Sequence, residues 1–230
     1  MTPPPLTRNQ SRSLDRRAID QYGMSGLVLM ENAGRGTVDV LERLGIAGPV
    51  MILCGKGNNA GDGFVIARHL EIRGHECRVL LLSPPDELRG DAATNYAILT
   101  KADVPIIDVS SITEPTALHQ ALDRHAAGAD WILDAMLGTG ARGEPRAPFD
   151  TAIYWMNTRE AMTQAMAVDV PSGLDCDTGR PAKLTVCADH TCTFAAMKLG
   201  YTQPGTATYT GQVHVCDIGT PPRLLRDTTI

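Results

Sequence analysis

Between Cys54 and Gly63 the sequence reads CGKGNNAGDG, directly after the apolar run VMIL. Gly55, Gly57, Gly61 and Gly63 permit tight turns and close approach of backbone to a ligand. Asn58 and Asn59 each bring an acceptor oxygen and two donor hydrogens, and Asp62 adds a carboxylate. The stretch is one residue too long for the dinucleotide fingerprint G-x-G-x-x-G. It is not a phosphate-binding P-loop either, because no G-K-[ST] follows and Lys56 comes early. A turn capped by Asp62 at the start of a helix would explain the glycines alone. Two asparagines and an aspartate among them favour a binding loop.

Three further stretches could carry chemistry. LDAMLGTGARGEP (133–145) places Asp134 at the end of an apolar run, followed by Gly138, Gly140 and Gly143; alone it reads slightly better as a surface loop. AVDVPSGLDCDTG (167–179) sets Asp169 at the end of another apolar run, where desolvation raises a carboxylate's pKa and suits it to acid/base work. LDCDTG lacks the glutamate of a calcium loop, so Asp175 and Asp177 read as a solvated turn. TFAAMKLGY (193–201) holds Lys198 between Met197 and Leu199, a snorkelling surface lysine unless a partner gives it work. No histidine pair has metal-ligand spacing, and neither a C-x-x-C pair nor a G-x-S-x-G elbow occurs.

Elements of alternating type must position these residues. Helices are expected over 11–22, from Ser25 to Gly45, from about Gly63 to Ile72, over 89–102 and 113–128, and across PFDTAIYWMN (148–157). Strands are expected at 50–54, 77–83, 104–109, 130–136 and 165–170, with a strand-rich final third. Residues 1–10, rich in proline, read as a loose arm. Strand–helix alternation with unbroken apolar strands predicts a mainly parallel sheet covered on both faces. Ligands of such sheets bind outside the carboxyl ends of the strands, where the segments after Cys54, Asp134 and Asp169 would converge.

The chain has 230 residues and a net charge of −5, with its basic residues scattered, which argues against a nucleic-acid groove. No apolar run approaches the ~20 residues of a spanning helix, and the start lacks the apolar core of a signal peptide. Six cysteines with mostly apolar neighbours read as buried free thiols. A cytoplasmic protein without membrane attachment is therefore expected.

LMENAG (29–34), GNNAGDGFVIARHL (57–70), DAMLGTG (134–140), AVDVPSGLD (167–175) and TFAAMKLG (193–200) occur in that order and nearly span the chain. Together they resemble the NAD(P)H-hydrate epimerases, the YjeF N-terminal domain family. The resemblance implies a Rossmann-like three-layer αβα sandwich, α/β in class, over 1–230 as a single epimerase domain without a fused dehydratase. It implies a substrate, NADH or NADPH hydrated at C6 of the nicotinamide, whose R and S forms are interconverted to feed a separate S-specific dehydratase. Substrate contacts are implied for Asn58, Asn59, Ala60, Gly61, Asp62, Gly138, Thr139, Gly140, Ala141, Arg142, Gly143, Glu144 and Asp169. One potassium ion per subunit is implied on Asn59, Asp134 and Ser172. On this resemblance Asp169 is the expected acid/base group, with Lys198 as its proton donor or charge partner.

Two positions depart from the family pattern: Ala60 replaces a glycine, and Leu137 stands where an aromatic residue is common. Alanine would be strained at position 60 if the site needed positive φ. A non-catalytic binding or scaffold role on the same fold, as in an mRNA-decapping enhancer, is the main rival; Asn59, Asp134, Asp169 and Lys198 argue against it. A nucleotide-dependent transferase or oxidoreductase ranks lower for want of its fingerprint. Exposed positions in the first two helices could build a homodimer.

Overall fold

The computed structural model describes residues 3–226. Seven strands form one wholly parallel sheet: β1 (Val50–Cys54), β2 (Cys77–Leu81), β3 (Ile106–Asp108), β4 (Trp131–Ala135), β5 (Gln164–Val168), β6 (His190–Phe194) and β7 (Gln212–Cys216). Their order is β3-β2-β1-β4-β5-β6-β7. Among the described residues eight α-helices accompany them: α1 (Arg8–Tyr22), α2 (Gly26–Leu44), α3 (Asn58–Ile72), α4 (Gly90–Leu99), α5 (Pro115–Ala126), α6 (Phe149–Asn157), α7 (Ala207–Thr210) and α8 (Pro222–Arg226).

The two-residue period of a strand divides the core. Val50, Ile52 and Cys54 of β1 pack with Val38 and Leu41 of α2, Phe64 and Ile66 of α3 and Leu99 of α4. Met51 and Leu53 face the other way, onto Leu118 and Leu122 of α5 and Ile153 and Met156 of α6. Helices therefore cover both faces, as a parallel sheet requires. β1 lies between β2 and β4, so successive strands add first on one side of it and then on the other. That reversal opens a crevice at the carboxyl ends of β1 and β4.

Three expectations need correcting. The residues before position 10 are not a loose arm from Leu6 onward: Leu6 is buried, and it exchanges backbone hydrogen bonds with Met197 and Leu199, at 2.8 Å each. Thr7 caps α1 reciprocally with Gln10. The third helix begins at Asn58 rather than near Gly63, with Gly57 as N-cap, so the Asn-Gly stretch is its first turns. In the final third, 184–189 pairs in no strand, and regular structure is confined to β6, β7 and short helices. All six cysteines are free. Among the described residues no helix is long and apolar enough to cross a membrane.

Candidate active site

A cavity of about 520 Å³ lies at the carboxyl ends of the central strands. The structure brings Asn58, Asn59 and Asp62 of α3, Gly138 to Ala141 after β4, Asp169 after β5 and Lys198 after β6 onto its wall. Ala60 and Gly61 do not reach it. Ala60 is fully buried in the hydrophobic core, and its φ is not positive, so alanine carries no strain there. Arg142, Gly143 and Glu144 line a smaller cleft of about 190 Å³, which shares Leu137, Gly138 and Ala141 with the cavity. Gly55 is required by its surroundings: a Cβ there would lie 2.2 Å from the Met136 carbonyl oxygen, where the loops after β1 and β4 cross.

Asp169 follows the last residue of β5 and has φ 62°, in the left-handed region that non-glycine residues avoid. The Val170 amide donates to the Val168 carbonyl at 2.8 Å, closing a γ-turn around it. One strand over, Ala195 repeats the device with φ 63° and an Ala196-to-Phe194 bond of 2.7 Å. The turn at Asp169 is held from outside: Tyr201 Oη donates to its carbonyl at 2.5 Å, and its amide donates to Cys192 O at 2.7 Å. Backbone held in a sparsely populated region by its surroundings is a recurrent mark of functional sites.

The side chain of Asp169 is fixed as firmly. Lys198 Nζ lies 2.7 Å from Oδ1, both groups being largely buried. Thr193 Oγ1 donates to the same oxygen at 3.2 Å and the Phe194 amide at 3.4 Å. Among the described residues nothing donates to Oδ2, which leaves that oxygen to whatever enters the cavity. The lysine that alone reads as a snorkelling residue is instead a buried cation, 2% exposed.

Beneath the cavity floor Asp134 is completely buried. Ser172 donates to it twice, from Oγ to Oδ1 at 2.6 Å and from its amide to Oδ2 at 2.7 Å, and the Met136 amide adds a bond of 3.2 Å. Burial still outweighs these donors and pushes the carboxyl up to about 6. The Leu137 amide donates to Ser172 Oγ at 2.9 Å, which ties the floor to the glycine loop. Asn59 is 5% exposed, yet neither its Oδ1 nor its Nδ2 has a partner. Such an orphaned amide is rare in native structures and asks for an unseen ligand. Asn59, Asp134 and Ser172 all offer oxygen, the donor a hard cation takes. Among the described residues no group of His, Cys, Asp and Glu is gathered as for a transition metal.

Sequence reading missed one wall altogether. α1 contributes Ser11, Arg12 and Asp15 to the cavity. Asp15 is open to water within the cleft, yet surrounding protein and the charge of Asp169 push its carboxyl up to about 6, against the opposing pull of Lys198. Asp62, buried, is pushed up well above the ordinary value by desolvation and then by Asp169 and Asp15. The periodicity of α1 is legible in the sequence; that its polar face meets a cavity is not.

Comparison with known proteins identifies the chain's relatives. The family model for the YjeF-related protein N-terminus matches residues 26–200. A protein of Pirellula staleyi named NAD(P)H-hydrate epimerase is 49% identical, with 96% of this chain and 94% of that protein covered. One of the same name from Rhodopirellula baltica is 41% identical over 99% of this chain and 89% of its own. In Salinibacter ruber a bifunctional NAD(P)H-hydrate repair enzyme is 41% identical over 98% of this chain, which spans 42% of it. The solved structure of the yeast protein ynu0 superposes with a TM-score of 0.80 at 20% identity, covering 99% of this chain and 94% of its own; that likeness concerns the fold. The chain belongs to the family of YjeF-related protein N-termini.

Proposed function

We propose that the protein interconverts the R and S forms of hydrated NADH and NADPH at C6 of the nicotinamide ring. The observation that carries this reading is the Asp169–Lys198 pair, in which one carboxylate oxygen is locked and the other is left to the cavity. Full-length relatives named for this activity support it.

C6 of the hydrate bears a hydroxyl and the ring nitrogen, so it is a carbinolamine. Loss of the hydroxyl as water leaves a planar N1=C6 iminium, and water returning to the opposite face inverts the centre. One proton must reach the departing oxygen and another must leave the incoming water. A positioned carboxylate accelerates such transfers by roughly 10²–10⁴-fold. Asp169 Oδ2 is the acceptor in this scheme, and Lys198 fixes the carboxylate while balancing its charge. The first turn of α3 presents backbone N–H groups without helical partners beside Asn58 and Asn59, a setting suited to the pyrophosphate. A dinucleotide is longer than its nicotinamide, and the cleft at Arg142 to Glu144 would take the remainder, passing over Gly138 and Ala141.

Asn59, Asp134 and Ser172 would hold potassium. The orphaned Asn59 amide and the buried Asp134 carboxyl fit a monovalent cation, which would balance charge and order the loop at Leu137 and Gly138. The product would pass to an S-specific dehydratase, and reduced thiols fit work in the cytoplasm.

Purified R-hydrate of NADH incubated with the protein should yield the S form faster than the blank, as followed by chromatography. Asp169→Ala should abolish the excess rate, and sodium in place of potassium should reduce it. A folded protein that leaves the rate at the blank value with potassium present would overturn the reading.

A further inference from the structure

Inverting a centre requires proton transfer on both faces of the ring, whereas Asp169 approaches from one wall. Asp15 stands on another. It lies on α1, whose rotation is fixed by burial of Leu14 and Ala18 against Leu29 and Ala33. The helix is anchored at its start by Thr7, by the Arg8 amide donating to Asp177 Oδ1 at 2.6 Å, and by the Arg8–Asp175 ion pair at 3.2 Å. The Leu6 bonds to Met197 and Leu199 flank Lys198, so α1 and the lysine are positioned by one piece of backbone. Among the described residues no donor reaches the Asp15 carboxylate, although it lines the same cavity as Asp169 and Lys198.

We propose that Asp15 is a second catalytic acid/base group of the epimerisation, serving the face of the nicotinamide ring that Asp169 does not. This rests on the epimerase reading above. In one direction protonated Asp15 gives its proton to the C6 hydroxyl, and the C6–O bond breaks with its electron pair leaving on water. The N1 lone pair forms N1=C6. Water attacks C6 from the other face, the π pair returns to N1, and the water's proton passes to Asp169. Return of that proton to Asp15 through cleft water resets the site, with no net change in protons. The reverse direction starts from the opposite arrangement of the same single proton.

The charged groups that line this cavity with Asp15 are Arg12 on its own helix, Lys56 just before α3, Asp62 of α3, Asp91 of α4, Asp169 and Lys198. The surrounding protein and the charge of Asp169 raise Asp15 while Lys198 lowers it, with a result of about 6. Two carboxylates in unlike settings, one ion-paired and one not, are the pattern of an acid/base pair. Because both directions need one shared proton, kcat/KM should have an alkaline limb with an apparent pKa near 6.

The test measures kcat and KM for the R-hydrate of NADH between about pH 5.5 and 8.5 for the wild type, Asp15→Asn and Asp15→Glu, with circular dichroism as the check on folding. Asp15→Asn should lower kcat by about 100-fold or more, shift KM by no more than about threefold, and lose the limb near 6. Asp15→Glu should recover part of kcat together with the limb, which a structural role would not produce. A folded Asp15→Asn protein with wild-type kcat, or with the limb intact, overturns the assignment and leaves the epimerase reading standing. A wild type no faster than the blank overturns both.

Discussion

Replacing Lys198 by methionine would remove a buried cation at nearly constant volume and leave Asp169 without its partner at 2.7 Å. Breaking a buried pair in this way typically costs about 3–5 kcal/mol. The orphaned carboxylate has an escape, which is to take up a proton. From the ordinary aspartate value near 3.9 that costs about 1.36 kcal/mol per pH unit, hence roughly 1.5 kcal/mol at pH 5 and about 5.6 at pH 8. Protonation therefore caps the loss at about 1.5 kcal/mol in acid, and the full 3–5 is felt at pH 8. For a domain of this size about 2–4 °C of Tm accompanies each kcal/mol. Lys198→Met should accordingly melt roughly 6–20 °C below wild type at pH 8, and no more than about 6 °C below it at pH 5. The sign follows from linkage: losing the cation raises the proton affinity of the folded carboxylates, Asp15 included, so stability falls as pH rises. Adding Asp169→Asn should restore much of the loss at pH 8. Differential scanning calorimetry at both pH values decides the matter. An equal Tm drop at pH 5 and pH 8, or no rescue by the second change, would refute the view that an uncompensated carboxylate is the cause.

Other expectations can be checked more briefly. Ala195→Val forces a β-branched residue into the left-handed region at φ 63° and should cost on the order of 1–3 kcal/mol by urea denaturation, whereas Ala195→Gly should cost little or stabilise. Gly173→Ala combines φ 94° with a Cβ 2.4 Å from the Leu184 carbonyl oxygen, so a loss of about 3 kcal/mol or more is expected, together with displacement of the neighbouring Ser172. The wild type should melt higher in potassium than in equimolar sodium, by mass action on the folded state. Asn59→Ala should erase that difference without lowering Tm in sodium, because both polar atoms of its side chain are already unpartnered.

The strand at Val50–Cys54 is legible because a strand buried on both faces is an uninterrupted apolar run, and Asp134 and Asp169 stand out as the polar residues at the ends of such runs. The first turns of α3 are not legible as helix. Glycine and asparagine are poor helix formers, and only the packing shows why they are tolerated there. A Cβ at Gly61 would lie 2.7 Å from Met30, and one at Gly63 would lie 2.8 Å from Cys54 Sγ. The γ-turns escape notice for a related reason: aspartate and alanine do not advertise positive φ as glycine does. Lys198 looks ordinary until β5 and β6 lie side by side. Asp15 is hidden furthest, since its role in the site depends on where the whole of α1 is docked.

That docking sets an order of events. The bond from the Arg8 amide to Asp177 joins residues 169 positions apart, and the Leu6 bridge to Lys198 spans a little more. During synthesis α1 leaves the ribosome well before the segment it must close upon. The sheet from β1 to β5 can gather beforehand through shorter connections, since closure entropy and folding time both favour nearer contacts. The cleft is thus completed late in the assembly of this domain, when the start of α1 meets the segments that follow β5 and β6. A nascent chain short of residue 198 would carry the asparagine turn, Asp134 and Asp169 on a nearly finished sheet and still lack both Lys198 and the wall that holds Asp15 in place.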